Sequence, residues 1–284
     1  MHSHEATSNI RQVERLMLDL VRHSGGEAGE AAAYHLCAGG SRVRALLALD
    51  AARALARPER EAIAIAAACE LLHNASLVHD DLQDRDVHRR GQEAVWRRYG
   101  DAAAICVGDL LLSAAYAAMA TTGATASLLI TRMHHRVSAV IRGQCDDIAL
   151  QGATMACLET YEQIAWAKSG PLLVLPIELA LVLADREDAI ATAVEAGSLF
   201  AVGYQIADDL DDVQRDAVNE ELNIVAVLAA AGETLPQACA RDLAIRRFRQ
   251  AHAVAIALPA GCGALLAAHA LRRSDALSAT LENA

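Results

Sequence analysis

Residues 76–91 read SLVHDDLQDRDVHRRG, and residues 203–214 read GYQIADDLDDVQ. Each stretch continues a long apolar run rich in alanine and leucine, with the composition and apolar spacing of a helix. Acidic clusters usually belong to solvated loops, but these two begin inside helical, hydrophobic sequence. The two stretches therefore predict a helical core whose central helices carry aspartates.

The aspartates repeat with the period of a helix. Residues three and four apart lie on the same face of an α-helix. Two such rows follow from the sequence: His73, Ser76, Asp80 and Asp84 in the first helix, and Gln205, Asp208, Asp209 and Asp212 in the second. We expect each helix to present its row of oxygen atoms to one cavity.

Carboxylates collected at the edge of a core need cations nearby. They repel one another, and burial raises their pKa values unless positive charge neutralises them. Magnesium binds carboxylate oxygens, keeps several waters and takes further ligands from phosphate groups. We interpret the two acidic clusters together as a magnesium–diphosphate site between the two helices. The alternative for either cluster alone is an acidic helix end in solvent.

The rest of the chain reads as helix after helix. Of the 284 residues, 54% are hydrophobic, 3% are aromatic and five are proline, and strand-like alternation is nearly absent. The predicted helices lie near residues 10–23, 28–38, 42–56, 59–84, 92–99, 101–121, 125–150, 158–182, 186–212, 221–231, 236–258 and 263–281. Helices that are apolar on most sides belong inside a bundle. We predict an all-α fold, a single large helical bundle, in one domain spanning residues 1–284.

The bulk properties exclude several classes of protein. The net charge of −11 argues against nucleic acid or anionic lipid as a main partner. The seven cysteines show no CxxC pairing, which indicates reduced, mostly buried thiols in a cytosol. The polar N-terminal sequence lacks the apolar stretch of a signal peptide. We therefore expect a cytoplasmic protein.

One segment resembles a membrane span by length. Residues 251–271, AHAVAIALPAGCGALLAAHAL, carry no formal charge over a length that crosses a bilayer. Pro259, Gly261 and Gly263 interrupt it, so two short buried helices joined by a turn are the better interpretation. We expect the protein not to span a membrane.

Basic residues accompany the acidic rows. Arg89 and Arg90, closed by Gly91, come soon after Asp84, and arginine side chains bind phosphate oxygens two at a time. Upstream, GGSRVR at residues 39–44 precedes a helix, whose N-terminal amides attract anions. The alternatives are a solvated arginine pair and an ordinary loop.

Lys168 is the only lysine in the sequence, and it lies in AKSG just before Pro171. Proline inside a helix kinks the axis and frees carbonyl groups upstream. We expect the lysine to meet a phosphate at this kink, with freed carbonyl oxygens near Ser169 facing the cavity. A surface lysine is the alternative.

Five motifs together resemble the trans-isoprenyl diphosphate synthases, also called polyprenyl synthetases. SLVHDDLQDRDVHRRG is similar to the family's first aspartate-rich motif, HDDxxD followed by RRG, and YQIADDLDD to the second, QIxDDxxD. GGSRVR resembles GGKxxR, IRGQCDDIAL resembles the GQxxD helix, and AKSG resembles KTG or KSG. All five occur in the family's order over roughly residues 35–215.

The resemblance implies the isoprenoid synthase type of bundle, a homodimer, and head-to-tail condensation of an allylic diphosphate with isopentenyl diphosphate. It implies three Mg²⁺ ions held by Asp80, Asp84 and Asp208, with a shell completed, largely through waters, by Asp81, Asp209 and Asp212. It implies that the allylic diphosphate is bound by Arg89, Lys168 and Gln205, and isopentenyl diphosphate by Arg44, His73 and Arg90. The residues nearest the chemistry would be Lys168, Gln205, Asp80 and Asp208, and carbonyls near Ser169 with the Gln205 amide oxygen would steady a carbocation.

Two cations of the family pattern are missing. The lysine of GGK is Ser41 here, and Glu221-Leu222 stands at about the place of the Gly-Lys after the second motif. Activity on isopentenyl diphosphate is therefore less secure than binding of an allylic diphosphate. The alternatives are a class I terpene cyclase and a non-catalytic partner subunit of a prenyltransferase. A di-iron carboxylate bundle would need Glu-x-x-His pairs on facing helices, and none is suitably placed.

The length of the product depends on the channel that the growing hydrocarbon follows away from Asp80. Ala75 and Ser76, about one turn earlier, are small and leave that channel open. This favours a product of geranylgeranyl length or longer, and the alternative is that small residues only allow tight helix packing. Residues on other helices can still close the channel lower down, among them Leu112, Tyr116 and Met119.

Overall fold

The computed structural model describes residues 2–24, 26–150, 157–219 and 222–282, most of which are helical. The helices are α1 (His2–Ser24), α2 (Gly26–Cys37), α3 (Val43–Ala54), α4 (Glu59–Gln83), α5 (Val95–Tyr99), α6 (Asp101–Ala120), α7 (Ala126–Leu150), α8 (Leu158–Leu183), α9 (Ile190–Asn219), α10 (Ile224–Ala230), α11 (Pro236–Ala255) and α12 (Ala264–Glu282). The prediction of an all-α fold is confirmed.

A short β-hairpin follows the first aspartate motif. Strand β1 (His88–Arg89) pairs antiparallel with β2 (Gln92–Glu93), and Arg90–Gly91 form the two-residue turn with φ of 53° and 79°. Positive φ at both turn residues is the geometry of a type I′ hairpin. The prediction of a helix over residues 92–99 was wrong at its start, because the first two residues pair as a strand and α5 begins only at Val95.

Other boundaries differ from the prediction by whole turns. Helix α1 begins at His2, because the polar residues before the apolar pattern contain no helix breaker. Helix α9 continues to Asn219, since neither glycine nor proline follows the second aspartate motif to stop it. The predicted start of α10 at residue 221 lies outside the described residues.

The contacts group the chain into two compact units, of which the first comprises residues 1–133 and 179–185. In this unit α4 packs against α3 and α6. Ile65, Leu71 and Val78 of α4 are completely buried. Burial of such side chains is worth about 25 cal/mol per Å² of apolar surface. Helix α4 therefore runs from the core of this unit to an end that carries the first aspartates.

The second unit comprises residues 134–178 and 186–284. In this unit α9 packs against α11, and α11 also packs against α12. The rings of Phe200 and Phe248 meet edge to face with centroids 5.5 Å apart. Arg136 on α7 donates to the fully buried carboxylate of Glu178 on α8, with Nε 2.7 Å from Oε2. The second aspartate motif continues α9 out of this core. A single domain over residues 1–284 stays a prediction.

All seven cysteines are free thiols. Cys69 and Cys262 are buried, but four others are exposed: Cys37, Cys106, Cys145 and Cys157. The prediction of mostly buried thiols was wrong, because these four lie on outward helix faces or at helix ends.

Among the residues that the structure describes, three helical segments are long and apolar enough to cross a bilayer, judged by length and composition: Glu59–Gln83, Asp101–Ala120 and Glu187–Val218. The protein itself buries 72% of the most apolar stretch of the first but 44% of that of the second. Residues 251–271 form no continuous helix. Helix α11 ends at Ala255, a 3-10 turn spans Pro259–Gly261 and α12 begins at Ala264, which confirms the expected break.

Candidate functional site

The first aspartate motif lies at the C-terminal end of α4. Asp84 caps this helix with helical dihedral angles, and its N–H donates to the carbonyl oxygen of Asp80 at 2.8 Å. Asp80 and Asp84 therefore keep the relation of one helical turn that the sequence predicts. Asp80 is half-buried and Asp84 is exposed, whereas Asp81 is only 1% exposed.

Arg89 neutralises the buried carboxylate of Asp81. Its Nε donates to Oδ1 at 2.7 Å, and its Nη2 donates to the same oxygen and, at 3.3 Å, to Asp86. Burial raises the pKa of Asp81, and the hydrogen bond from Arg89 acts against this rise. The second oxygen, Oδ2, is buried and accepts no hydrogen bond from the described residues. An unsatisfied buried oxygen of this kind fits a cation or an ordered water.

Arg90 reaches from the hairpin turn to the loop of GGSR. Its Nη1 donates to the carbonyl oxygen of Gly39 and, at 3.2 Å, to Oδ1 of Asn74. A Cβ atom at Gly40 would lie 2.7 Å from Cζ of Arg90, and the φ of Gly40 is 127°. Glycine is required at this position by both the close approach and the backbone conformation. The GGSR and RRG motifs are therefore in direct contact.

His73 lies in the electrostatic field of several arginines. Burial is the main cause that lowers its pKa well below the usual value, and the charges of Arg44 and Arg90 add to the effect. The imidazole is thus neutral and offers hydrogen-bonding nitrogens among guanidinium groups. The residues predicted to bind isopentenyl diphosphate, Arg44, His73 and Arg90, therefore interact electrostatically within the first unit. Ser41 beside them is exposed and supplies no cation.

The second motif begins with Asp208 on α9. Burial raises the pKa of Asp208 to about 6; Arg273 on α12 opposes this, and the nearby carboxylates of Asp209, Asp211 and Asp212 add to it. The guanidinium of Arg273 lies 4.9 Å from the ring centroid of Tyr204, one turn before Asp208. Asp212 is half-buried and pairs with Arg215 at 2.8 Å. A raised carboxylate pKa is the consequence that the sequence predicts for acidic residues without a bound cation.

Asp209 is 2% exposed and joins three helices. Its Oδ2 accepts from the Tyr161 hydroxyl of α8 and from the N–H of Ile224 in α10, each at 2.8 Å. Its Oδ1 accepts from Nε2 of Gln205 at 2.8 Å. The side chain of Asn223 caps α10 and donates to the carbonyl oxygen of Asp209 at 2.8 Å. This carboxylate is already satisfied by protein donors.

The contacts of Gln205 fix the direction of its amide. Because its nitrogen faces the carboxylate of Asp209, its Oε1 points elsewhere, and within the described residues it accepts no hydrogen bond. The amide oxygen therefore stays available in the way that the sequence analysis expects. Burial and the charge of Asp209 raise the pKa of Tyr161, so its hydroxyl remains the donor of the Tyr161–Asp209 bond.

Both motifs contain one buried, hydrogen-bonded carboxylate beside carboxylates that are accessible to a ligand. In each motif, the second aspartate of the first Asp-Asp pair is buried and accepts hydrogen bonds from protein donors. The donors are Arg89 for Asp81, and Tyr161, Gln205 and Ile224 for Asp209. The other motif carboxylates are half-buried or exposed: Asp80 and Asp84, and Asp208, Asp211 and Asp212. The row predicted for the second helix therefore contains one structural carboxylate, Asp209, and Asp81, next to the row predicted for the first helix, is another.

Lys168 is exposed on α8, just before the bend. The segments Leu158–Lys168 and Gly170–Leu183 differ in direction by 56°, which confirms the expected kink at the internal proline. The side chain of Ser169 lies outside what the structure describes. A Cβ at Gly143 would meet the carbonyl oxygen of Ala167 at 2.8 Å, so the GQxxD-like and KSG-like segments touch backbone to backbone.

The predicted channel residues lie on and beside α4. Ala75 is 5% exposed. Ser76 is half-buried and donates to the carbonyl oxygen of His73 at 2.9 Å. Of the residues named as possible lower stops, Met119 is fully buried, and Leu112 and Tyr116 are half-buried on α6.

Several residues at these motifs were missed by sequence reasoning. Asn223 had a readable signal, since asparagine before an apolar helical run favours an N-cap. Tyr161 carried none, because its partner is distant in the sequence. Glu221, one of the residues that replace Gly-Lys, lies outside the described residues, and Leu222 is 37% exposed.

A profile of the polyprenyl synthetase family matches residues 27–226. The (2E,6E)-farnesyl diphosphate synthase of Mycobacterium tuberculosis is 34% identical over 173 residues, which are 60% of this chain and 48% of that protein. The chloroplastic geranylgeranyl pyrophosphate synthase of Capsicum annuum is 34% identical over 212 residues, 69% of this chain and 56% of that protein. The chain thus spans about half the length of the curated relatives that it matches.

Solved structures share the fold. A decaprenyl diphosphate synthase from Rhodobacter capsulatus superimposes with a TM-score of 0.87 at 19% identity, covering 97% of this chain and 98% of that one. A geranylgeranyl pyrophosphate synthetase from the archaeon Geoglobus acetivorans gives 0.83 at 22% identity, covering 96% and 98%. These likenesses confirm an all-α bundle of the isoprenoid synthase type.

Proposed function

Because this chain belongs to the polyprenyl synthetase family, we propose that it is a prenyltransferase that condenses an allylic diphosphate with isopentenyl diphosphate. The observation that carries the proposal is the repeated division within each aspartate motif. A purely structural acidic helix end has no reason to bury one carboxylate with protein donors and leave its neighbours on the row accessible, twice. Relatives named as farnesyl and geranylgeranyl diphosphate synthases support the same substrate class.

The motif carboxylates fit magnesium. Within the described residues, no three His, Cys, Asp or Glu side chains are arranged to hold a metal ion by themselves. That suits Mg²⁺, which usually binds through one or two carboxylates and completes its shell with water and phosphate oxygens. The buried Oδ2 of Asp81, which accepts no hydrogen bond from the described residues, and the raised pKa of Asp208 both fit carboxylates that bind a cation. Three Mg²⁺ ions would be held by Asp80, Asp84 and Asp208, with Asp81, Asp209 and Asp212 in support.

The bound ions would supply positive charge to the departing diphosphate. Around it, Arg89, Lys168 and Gln205 bind the allylic diphosphate in this proposal. Arg44, His73 and Arg90 bind isopentenyl diphosphate. Fixed cations aimed at the charge that grows on the leaving group stabilise the transition state. The allylic carbon–oxygen bond breaks, its electron pair leaves with the diphosphate, and the double bond of isopentenyl diphosphate attacks the cation.

The protein must also exclude water from the cavity, and the proton lost at the end of condensation needs an acceptor. Water would quench the allylic cation, so the cavity must be apolar. The amide oxygen of Gln205 and carbonyl oxygens near Ser169 steady the cation in this proposal. The released diphosphate takes the proton that ends condensation, so no side-chain base is required.

Product analysis tests the proposal. Purified protein with Mg²⁺ is incubated with farnesyl diphosphate, with and without isopentenyl diphosphate, and the products are separated by chromatography. We expect longer prenyl diphosphates only when both substrates are present. Hydrocarbon from the allylic substrate alone would favour a terpene cyclase, an alternative that the loss of a lysine at Ser41 supports. Diphosphate binding without turnover until a second protein is added would favour a partner subunit.

The proposed product has geranylgeranyl length or more, and one substitution tests the channel. Ala75→Phe is expected to shift the main product to fifteen carbons or fewer, because a ring one turn or so before Asp80 blocks the growing chain. The measurement is chromatography of dephosphorylated products with ten- and fifteen-carbon primers. Ser76→Ala, which keeps the side chain small, is the control. An unchanged length distribution in Ala75→Phe places the floor of the channel elsewhere.

We propose a cytoplasmic homodimer that does not span a membrane. Helix α6 supports the dimer, since less than half of its most apolar stretch is buried and Ile105 is 51% exposed. Ile105→Glu is therefore expected to convert dimers to monomers in light scattering after size-exclusion chromatography. Ile256→Glu, at a position 59% exposed after α11, is the matched control and should leave the dimer intact. A wild-type monomer, or equal effects of the two variants, contradicts this interface.

A further inference from the structure

A buried polar network under Arg90 has no role in the chemistry assigned so far. Its members are His35 on α2 and Glu70 and Asn74 on α4, which are 2%, 2% and 0% exposed. Buried polar side chains cost stability unless they are hydrogen-bonded. A core position of α4 therefore holds an amide for a reason beyond packing.

The contacts of Asn74 fix its orientation. Its Nδ2 donates to the carbonyl oxygen of Glu70 at 2.7 Å. Its Oδ1 faces two donors, Nε2 of His35 at 3.1 Å and Nη1 of Arg90 at 3.2 Å. Since Oδ1 only accepts, Nε2 of His35 carries the proton. Burial, followed by the charge of Arg90, lowers the pKa of His35 to about 4, so a neutral imidazole fills this place at neutral pH.

The anchors of Arg90 are neutral oxygens. Nη1 donates to the Gly39 carbonyl and to the Asn74 amide, while Nε and Nη2 make no hydrogen bond with the described residues. The Nε–Nη2 edge of a guanidinium matches two oxygens of a phosphate group. Arg89 differs, because the carboxylate of Asp81 neutralises it. Of the two arginines, Arg90 is the one that donates no hydrogen bond to a carboxylate of the described residues.

We propose that Asn74 and His35 are positioning residues that hold Arg90 by one nitrogen, through neutral acceptors, and leave its Nε and Nη2 to bind a phosphate group. The inference rests on the proposed function, in which Arg90 binds isopentenyl diphosphate. The amide oxygen of Asn74 fixes the direction of the guanidinium without a negative charge that would compete with phosphate. His35 donates to the same amide oxygen and holds it in place.

Three substitutions distinguish a positioning role from a packing role. Asn74→Asp keeps the size and an acceptor for both donors, but it places a carboxylate on Arg90 and loses the donor to the Glu70 carbonyl. His35→Leu removes the donor, and His35→Gln restores a donor that can reach Oδ1 of Asn74. If the network only stabilised the fold, each variant would lose affinity for both substrates alike, in proportion to its loss of stability. As positioning residues, Asn74→Asp and His35→Leu lose affinity, and His35→Gln regains much of it.

The experiment measures binding of isopentenyl diphosphate by calorimetry without metal, and the Michaelis constants of both substrates with Mg²⁺. We expect Asn74→Asp and His35→Leu to raise the dissociation constant and the KM for isopentenyl diphosphate tenfold to a hundredfold, roughly the range of a lost hydrogen bond to a charged group. The KM for the allylic diphosphate should stay within about twofold of the wild type. Combining either change with Arg90→Ala should add little to the loss caused by Arg90→Ala alone.

Controls keep the outcomes apart. Ile65→Val, in the buried core of α4, reports the effect of destabilisation alone, and circular dichroism checks folding of every variant. A wild-type protein that does not bind isopentenyl diphosphate overturns the proposed function. A wild type that binds it, with Asn74→Asp binding equally well, or with both substrates affected alike, overturns the positioning role.

Discussion

Asp80→Ala and Asp208→Ala are each expected to lower kcat about a hundred- to a thousandfold while the protein remains folded. In the proposed site each of these accessible carboxylates holds a cation against the leaving diphosphate, and single electrostatic contacts to a transition state are worth roughly a hundred- to a thousandfold. Initial rates with farnesyl and isopentenyl diphosphates measure the effect. The free energy of unfolding in urea should change by less than about 1 kcal/mol, as at other positions outside the core.

The pKa of Asp208 gives a separate expectation for the stability of the Asp208→Ala variant. Its pKa is raised from 3.8 to about 6 by burial, so the folded protein prefers the protonated carboxyl. Its favourable contribution is complete below pH 3.8 and is lost as pH rises through about 6. At neutral pH and without metal, Asp208→Ala should therefore be at least as stable as the wild type. A rate close to that of the wild type in either alanine variant would count against the site.

Asp209→Ala is expected to have its main effect on stability, lowering the free energy of unfolding by about 3 kcal/mol. The change leaves the buried Tyr161 hydroxyl and the Ile224 N–H without their acceptor, and each orphaned donor costs about 1–3 kcal/mol. The neighbouring Asp208→Ala is the matched control, since it removes the same chemical group from the adjacent position of α9.

Urea denaturation of the two variants, side by side, measures the contrast. Asp209→Asn keeps the size of the side chain and one acceptor, and should fall between the wild type and Asp209→Ala. If Asp208→Ala proves to be the less stable of the pair, the division between structural and accessible carboxylates is wrong.

Much of this architecture follows from local sequence. Helix α4 was predictable to within one residue at its C-terminal end because its apolar run, the proline before it and the aspartate row all agree. The contact between the GGSR loop and Arg90 was not, although Gly40 and Gly91 both mark special backbone. The hairpin over residues 88–93 escaped because two-residue strands leave no alternating pattern.

The candidate site was predictable as a set of residue types but not in its division of roles. Spacing puts Asp80 and Asp84 in one row, yet no sequence rule says that Asp81 turns inward toward Arg89. The burial of Asp209 depends on Tyr161 from another helix, a tertiary contact that spacing along one helix does not encode. Burial and partners, rather than residue identity, decide which carboxylates meet a ligand.

The central part of the proposed function is that both aspartate motifs bind the same diphosphate through magnesium. Calorimetric titration of inorganic diphosphate in the presence of Mg²⁺ tests it most directly, using the wild type, Asp80→Ala, Asp208→Ala and the double variant. The account predicts that each single change weakens binding at least about a hundredfold and that the double variant is little worse than either, because residues that hold one ligand are coupled. Losses that simply add in free energy, or wild-type affinity in one single variant, would contradict it.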